Sequence, residues 1–127
     1  MSRKLIFTVA LSLILALAAL SWQRIGEQTA KLEQNGFHIS ERLGGSPQLL
    51  IDGKGRRLAL VGPGGYEEFP FSELHSTELG FDAHRETEDN FRIELMLRES
   101  RLRQVKFGSE WEARQALERL QRIVNAP

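Results

Sequence analysis

The chain has 127 residues, 41% hydrophobic and 27% charged, with no cysteine and a formal net charge of zero. Lack of cysteine excludes disulfides, thiolate catalysis, cysteine-ligated zinc and the lipid-modified cysteine of a bacterial lipoprotein. A neutral chain has no overall field that would favour nucleic acid as a partner.

Residues 5–22, from Leu5 to Trp22, contain no charge, proline or glycine. A helix of that length spans about 27 Å at about 1.5 Å per residue, close to a hydrocarbon core of about 30 Å. Trp22 falls where an interfacial aromatic belongs. Residues 1–22 therefore read as a membrane anchor whose partner is the lipid bilayer. A cleaved signal peptide is the competing reading. Arg3 and Lys4 make a short positive start, and Ala16-Leu17-Ala18 and Ala19-Leu20-Ser21 resemble small-residue cleavage sites. The apolar run is longer than a usual signal core, and no helix breaker precedes either site. Arg3, Lys4 and the amino terminus against the sparser Arg24 and Lys31 favour a cytoplasmic N-terminus with the domain outside.

Residues 23–36 read as a linker, either a helical extension of the anchor or a short stalk. Ile25 and Leu32 are seven apart, and Asn35-Gly36 ends the segment. From residue 37 the pattern turns extended, and 37–127 reads as one domain. The first strand is expected at 37–42. Strands at 48–52 and 57–61 form the clearest hairpin, joined by Gly53-Lys54-Gly55, whose glycines supply positive φ. Gly62-Pro63-Gly64-Gly65 is a second turn; it lacks the Lys-Ser/Thr and following helix of a phosphate loop. A strand at 66–71 follows, with Pro70 marking an edge or bulge position. A short strand is expected within 73–81 from His75 onward, then a charged loop over 82–89. Phe91, Ile93, Leu95 and Leu97 alternate with Arg92, Glu94, Met96 and Arg98, the period of a half-buried strand. After a turn at 98–100 comes a strand at 101–107. Ser109 and Glu112 form a capping box that opens a helix over 109–125. Ala113, Ala116, Leu117, Leu120, Ile123 and Val124 occupy an arc of about 120° on it, suited to closing the sheet. The fold class is α+β: an N-terminal transmembrane helix, a mainly antiparallel β sandwich or barrel, and a C-terminal helix.

The stretch 49–123 resembles the small bacterial domains of the pleckstrin-homology (PH-like) superfold, some of which sit beside a membrane helix. The resemblance rests on the order of short strands and one closing helix. Its residues are Leu49-Leu50-Ile51-Asp52 with its hairpin, Tyr66-Glu67-Glu68-Phe69-Pro70-Phe71-Ser72-Glu73-Leu74, and Phe107-Gly108-Ser109 leading to Trp111, Ala113 and Leu117. It implies a PH-like sandwich at a bacterial inner membrane. Classical members pack a helix tryptophan into the core, whereas Trp111 lies about 180° from the apolar arc. Classical phosphoinositide binders carry basic residues in their first hairpin, and Lys54, Arg56 and Arg57 resemble that pattern.

Two surfaces emerge as candidate binding sites. Lys54, Arg56 and Arg57 could hold phosphate or an anionic headgroup through charge-assisted hydrogen bonds, against the plainer reading of a solvated hairpin tip. Trp111, with Arg114 and Arg122 on the same helix face, could meet a protein or lipid, against the plainer reading of a ring folded over a strand edge. Arg98, Arg101, Arg103 and Lys106 are expected to share a sheet surface with Glu94 and Glu99. The acidic run between Glu67 and Asp89 lacks calcium-loop spacing. His38, His75 and His84 lack metal-ligand spacing, and no nucleophile-elbow motif marks a serine. No cofactor or metal is expected.

The expectation is a membrane-tethered, non-catalytic interaction module, with a protein partner possible and no nucleic acid. The alternatives are an exported soluble binding domain after signal cleavage, a small hydrolase using His75 or His84, and a structural subunit that packs its helix against other chains.

Overall fold

The computed structural model describes residues 3–83 and 87–126. A long helix, α1 (Arg3–Gln34), leads into a four-stranded antiparallel sheet of β1 (Glu41–Gly44), β2 (Gln48–Asp52), β3 (Arg57–Gly62) and β4 (Gly65–Pro70), in that spatial order. A three-stranded antiparallel sheet follows, made of β5 (Leu74–Ala83), β6 (Glu88–Leu97) and β7 (Arg101–Lys106), and α2 (Glu110–Asn125) ends the chain. The class is α+β.

The main core lies between the two sheets and under α2. Leu49, Ile51, Leu58 and Leu60 contribute from one sheet, Ile93, Leu95, Leu97 and Val105 from the other. The alternation over 91–97 holds: Ile93, Leu95 and Leu97 are buried while Arg92, Glu94 and Met96 are only half-buried. Ala113, Ala116 and Leu120 of α2 are buried, and Leu117, Ile123 and Val124 pack partly against the same core. The helix starts where its cap places it, with Ser109 Oγ accepting from the Glu112 N–H at 3.2 Å.

The four-stranded sheet is covered on both faces. Consecutive residues Leu49, Leu50 and Ile51 of β2, and Leu58 to Val61 of β3, are all buried. Leu50, Ala59 and Val61 point away from the main core and form a second cluster with Leu32 of α1 and Phe37. Unbroken apolar runs suit strands buried on both sides.

The chain departs from its sequence pattern in four places. The first strand is Glu41–Gly44 rather than 37–42. Phe37 and Ile39 alternate as in a strand, but they lie on the second cluster, and regular pairing begins only when Glu41 meets Ile51. Strand β5 begins at Leu74 and runs on to Ala83, and β6 starts at Glu88, so both ends of the loop expected over 82–89 are strand, while 84–86 lie outside the described residues. The strand after the turn ends at Lys106, before Phe107. Finally, the arginines of β7 do not share a face with Glu94. Arg103 pairs opposite Leu95, and Arg101 and Arg103 alternate with exposed Leu102, Gln104 and Lys106.

One glycine fixes how the sheets meet. Gly45 adopts φ +85° in the β1–β2 turn, and a Cβ there would lie 2.3 Å from Val105 Cγ1. That close approach lets Ser46 and Lys106 exchange backbone hydrogen bonds of 2.9 and 3.0 Å, tying the turn to β7.

Candidate functional site

Helix α1 has two parts that differ in what they touch. Residues 5–20 carry exposed Leu5, Ile6, Phe7, Leu13, Ile14, Leu15 and Leu17, and an 18-residue apolar window contains no buried residue. Long enough and apolar enough to cross a membrane, this segment has no residue buried by its own domain. From Ser21 onward one side of the helix turns inward. Ser21, Ile25 and Gln28 are half-buried, and Thr29 and Leu32 are buried. Spacings of three and four put these residues on one face. The expected linker is thus helical as far as Gln34, packed against the sheet on one face, and ends in the Asn35-Gly36 turn.

Where the two parts join, a groove of about 480 Å³ opens between α1 and the edge of the four-stranded sheet. Trp22, Ile25, Thr29 and Glu33 line one side, Arg42 and Gln48 the other. Trp22 is 81% exposed. Sequence reasoning placed Trp22 at an interface but gave no role to Arg42, because nothing in the local pattern shows that α1 brings Trp22 and Ile25 beside the β1 edge.

Helix α2 presents Trp111, 71% exposed, alongside exposed Arg114, Gln115, Glu118 and Arg122. Arg114 pairs with Glu110 at 2.7 Å, one helical turn back. Arg122 Nε donates to the Glu118 carbonyl at 3.4 Å.

Two of the three basic hairpin residues have partners within the domain. Lys54, Arg56 and Arg57 belong to the β2–β3 connection, the second hairpin of the sheet; the first, at 44–47, carries no basic residue. The Arg56 guanidinium lies 5.4 Å from the centre of the Phe71 ring and donates to the Ala126 carbonyl beyond α2 at 3.4 Å. A cation at a helix C-terminus complements the helix dipole. Arg57 pairs with Glu68. Lys54 is exposed at the tip.

The acidic and basic stretches largely meet each other. Arg101 reaches Glu73 at 3.0 Å and Arg103 reaches Glu67 at 2.7 Å, the latter joining β7 to β4. Arg92 contacts Asp82 at 3.2 Å and Glu94 at 3.1 Å. Arg103 is held still more firmly protonated by its hydrogen bond and charge contact with Glu67. Beside that pair an open cleft of about 440 Å³ runs along the seam between the sheets, with Leu60, Pro47 and Tyr66 in its lining.

Asp52 is the one buried acid among the described residues, 3% exposed. Its burial raises the carboxyl pKa, but the N–H groups of Gly55 and His38 and the charges of His38 and Arg57 outweigh that and hold it below its ordinary value. Oδ1 accepts from Gly55 at 2.9 Å and Oδ2 from His38 at 3.2 Å. The carboxylate closes the hairpin turn and pins the segment that follows α1.

Among the described residues no group of three His, Asp or Glu could hold a metal. His38 and His75 are exposed, and His84 lies outside the described residues. Searches against family models, curated proteins and solved structures returned no match.

Proposed function

We propose that this chain is a membrane-tethered, non-catalytic interaction module. Residues 5–22 cross a bilayer, and a PH-like sandwich is held against its surface. The observation that carries this is the division of α1: its first part exposes apolar side chains on every face, while its last turns are cemented to the sheet. An apolar helix exposed all round is stable in lipid and costly in water. Because the helix is continuous into the sheet, the tether sets the orientation of the domain as well as its nearness to the membrane. Nearness alone raises the effective concentration for a weak partner. Four antiparallel strands, three more and a closing helix are the element order of the PH-like superfold, which supports that finer reading.

Charge placed in the apolar run tests the tether. Leu11→Arg with Leu15→Arg adds about 2.5–3.5 kcal/mol per residue to insertion at a helix centre. The double variant is expected in the soluble fraction, with the unfolding transition of the domain unchanged. A variant that fractionates with membranes like the parent would overturn the reading.

A second reading, an exported domain released after Ala18 or Ser21, draws on one observation. The packed residues Ile25, Thr29 and Leu32 all lie beyond both sites, so cleavage would leave the sheet covered.

A further inference from the structure

Helix α1 does not leave the domain at random. Asn35 donates to the Tyr66 hydroxyl on β4, and Leu32 is buried with Ala59 and Val61 of β3. Ile25 and Trp22, further back, lie beside Arg42 and Gln48 of β1 and β2. Traced toward its N-terminus, the helix crosses the outer face of the sheet from β4 to β1 and departs over the β1 edge.

Helix α2 flanks that same edge. It packs against β1 as well as β5 and β6, and Arg119 Nη2 meets Glu41 Oε2 of β1 at 2.8 Å. Its N-terminal end is tied to the β1–β2 turn, because Lys106, bonded to Ser46, is three residues before the Ser109 cap. Gln48, at the start of β2 just past that turn, lines the Trp22 groove. The exit of α1 and the start of α2 therefore border one turn, and the face of α2 turned away from the core is the face with Trp111.

We propose that α2 lies along the bilayer surface with Trp111 inserted in the interfacial layer, a second anchor beside Trp22. This rests on the tether reading above. Tryptophan favours that layer because its ring is apolar and its N–H finds polar groups there. Arg114 and Arg122 flank Trp111 with long apolar stems that can lie along the surface while their guanidinium groups reach phosphate or water. α2 holds three acids, Glu110, Glu112 and Glu118, and three arginines, Arg114, Arg119 and Arg122, so the contact depends on the ring and not on net charge. It differs in this from a polybasic patch, which salt releases. A helix held flat beside the tether would stop the domain from swivelling and present the seam cleft and the β5–β6 hairpin in a fixed direction.

The chain has only two tryptophans, so each can report alone. The full chain is reconstituted into vesicles of phosphatidylethanolamine and phosphatidylglycerol, with brominated phosphatidylcholine as the quencher. In Trp22→Phe, emission from Trp111 is expected to be blue-shifted, to lose most of its intensity to the brominated lipid, and to stay quenched in high salt. In Trp111→Phe, emission from Trp22 is expected to be quenched as well. Quenched Trp22 with a red-shifted Trp111 open to aqueous iodide would overturn the surface contact and leave the tether standing, as would a face reserved for a protein partner. Loss of quenching at both positions would overturn both readings.

Discussion

The Phe37 N–H donates to the Leu32 carbonyl at 3.3 Å across the end of α1, and both side chains enter one buried cluster. The Gly36 N–H meanwhile donates to the Glu33 carbonyl at 3.1 Å, with Gly36 at φ +98°. These two bonds and the flanking apolar contact form a Schellman motif. It stops a helix that began as an apolar rod and folds the chain back over the sheet that the helix covers.

That turn gives the first prediction. Leu32→Ala should cost about 2–5 kcal/mol, because it empties a fully buried site. Gly36→Ala should cost about 1–2 kcal/mol, since alanine is strained at positive φ. Denaturant unfolding of the detergent-solubilised chain measures both. If Leu32→Ala leaves the midpoint unchanged, α1 does not cover the sheet.

The second concerns the inner face of α2. Leu120 is fully buried and Leu117 only partly so. Leu120→Ala should cost about 2–5 kcal/mol, and Leu117→Ala should cost less. Thermal unfolding ranks them, and equal or reversed losses would place the helix in a different rotation.

The third concerns its outer face. Trp111→Ala should change the stability of the detergent-solubilised chain by less than about 1 kcal/mol, as for an exposed substitution. A loss of several kcal/mol would put the ring in the core.

The fourth concerns acid. The Asp52 carboxyl is held below its ordinary value of 3.8 in the folded domain. A depressed folded pKa means the unfolded chain takes the proton first as pH falls. The stabilisation is present above the unfolded pKa, declines below about pH 4, and is gone once pH passes the folded pKa. Asp52→Asn should flatten the acid limb of the stability profile, and a profile identical to that of the parent would remove Asp52 from the account.

Much of the sheet could be read from the sequence because its signals are local. Gly53 and Gly55 mark one hairpin, although neither supplies the positive φ expected of it, which falls instead on Arg56 at +52°; the alternation from Phe91 to Leu97 marks β6, and Ser109 with Glu112 marks the start of α2. What escaped was set by distant contacts. Phe37 and Ile39 have the spacing of a strand, yet their partner is the outer face of another layer. Leu49-Leu50-Ile51 and Leu58-Ala59-Leu60-Val61 carried a sign of two-sided burial, but only the structure shows that Leu32 supplies the second cover. The positive charges of Arg56 and Arg57 suggested an anion site, and their partners, Phe71, Ala126 and Glu68, lie up to 70 residues away in the chain. The candidate surface was half visible: the rotation of Trp111 follows from helical periodicity, whereas its proposed place at the bilayer depends on where the two helices lie relative to the β1 edge.

The decisive measurement is the intact mass of the chain recovered from membranes of its native host after alkaline carbonate extraction. The account predicts a carbonate-resistant protein that still carries residues 5–22. A soluble chain whose first residue lies near position 19 or 22 would contradict it.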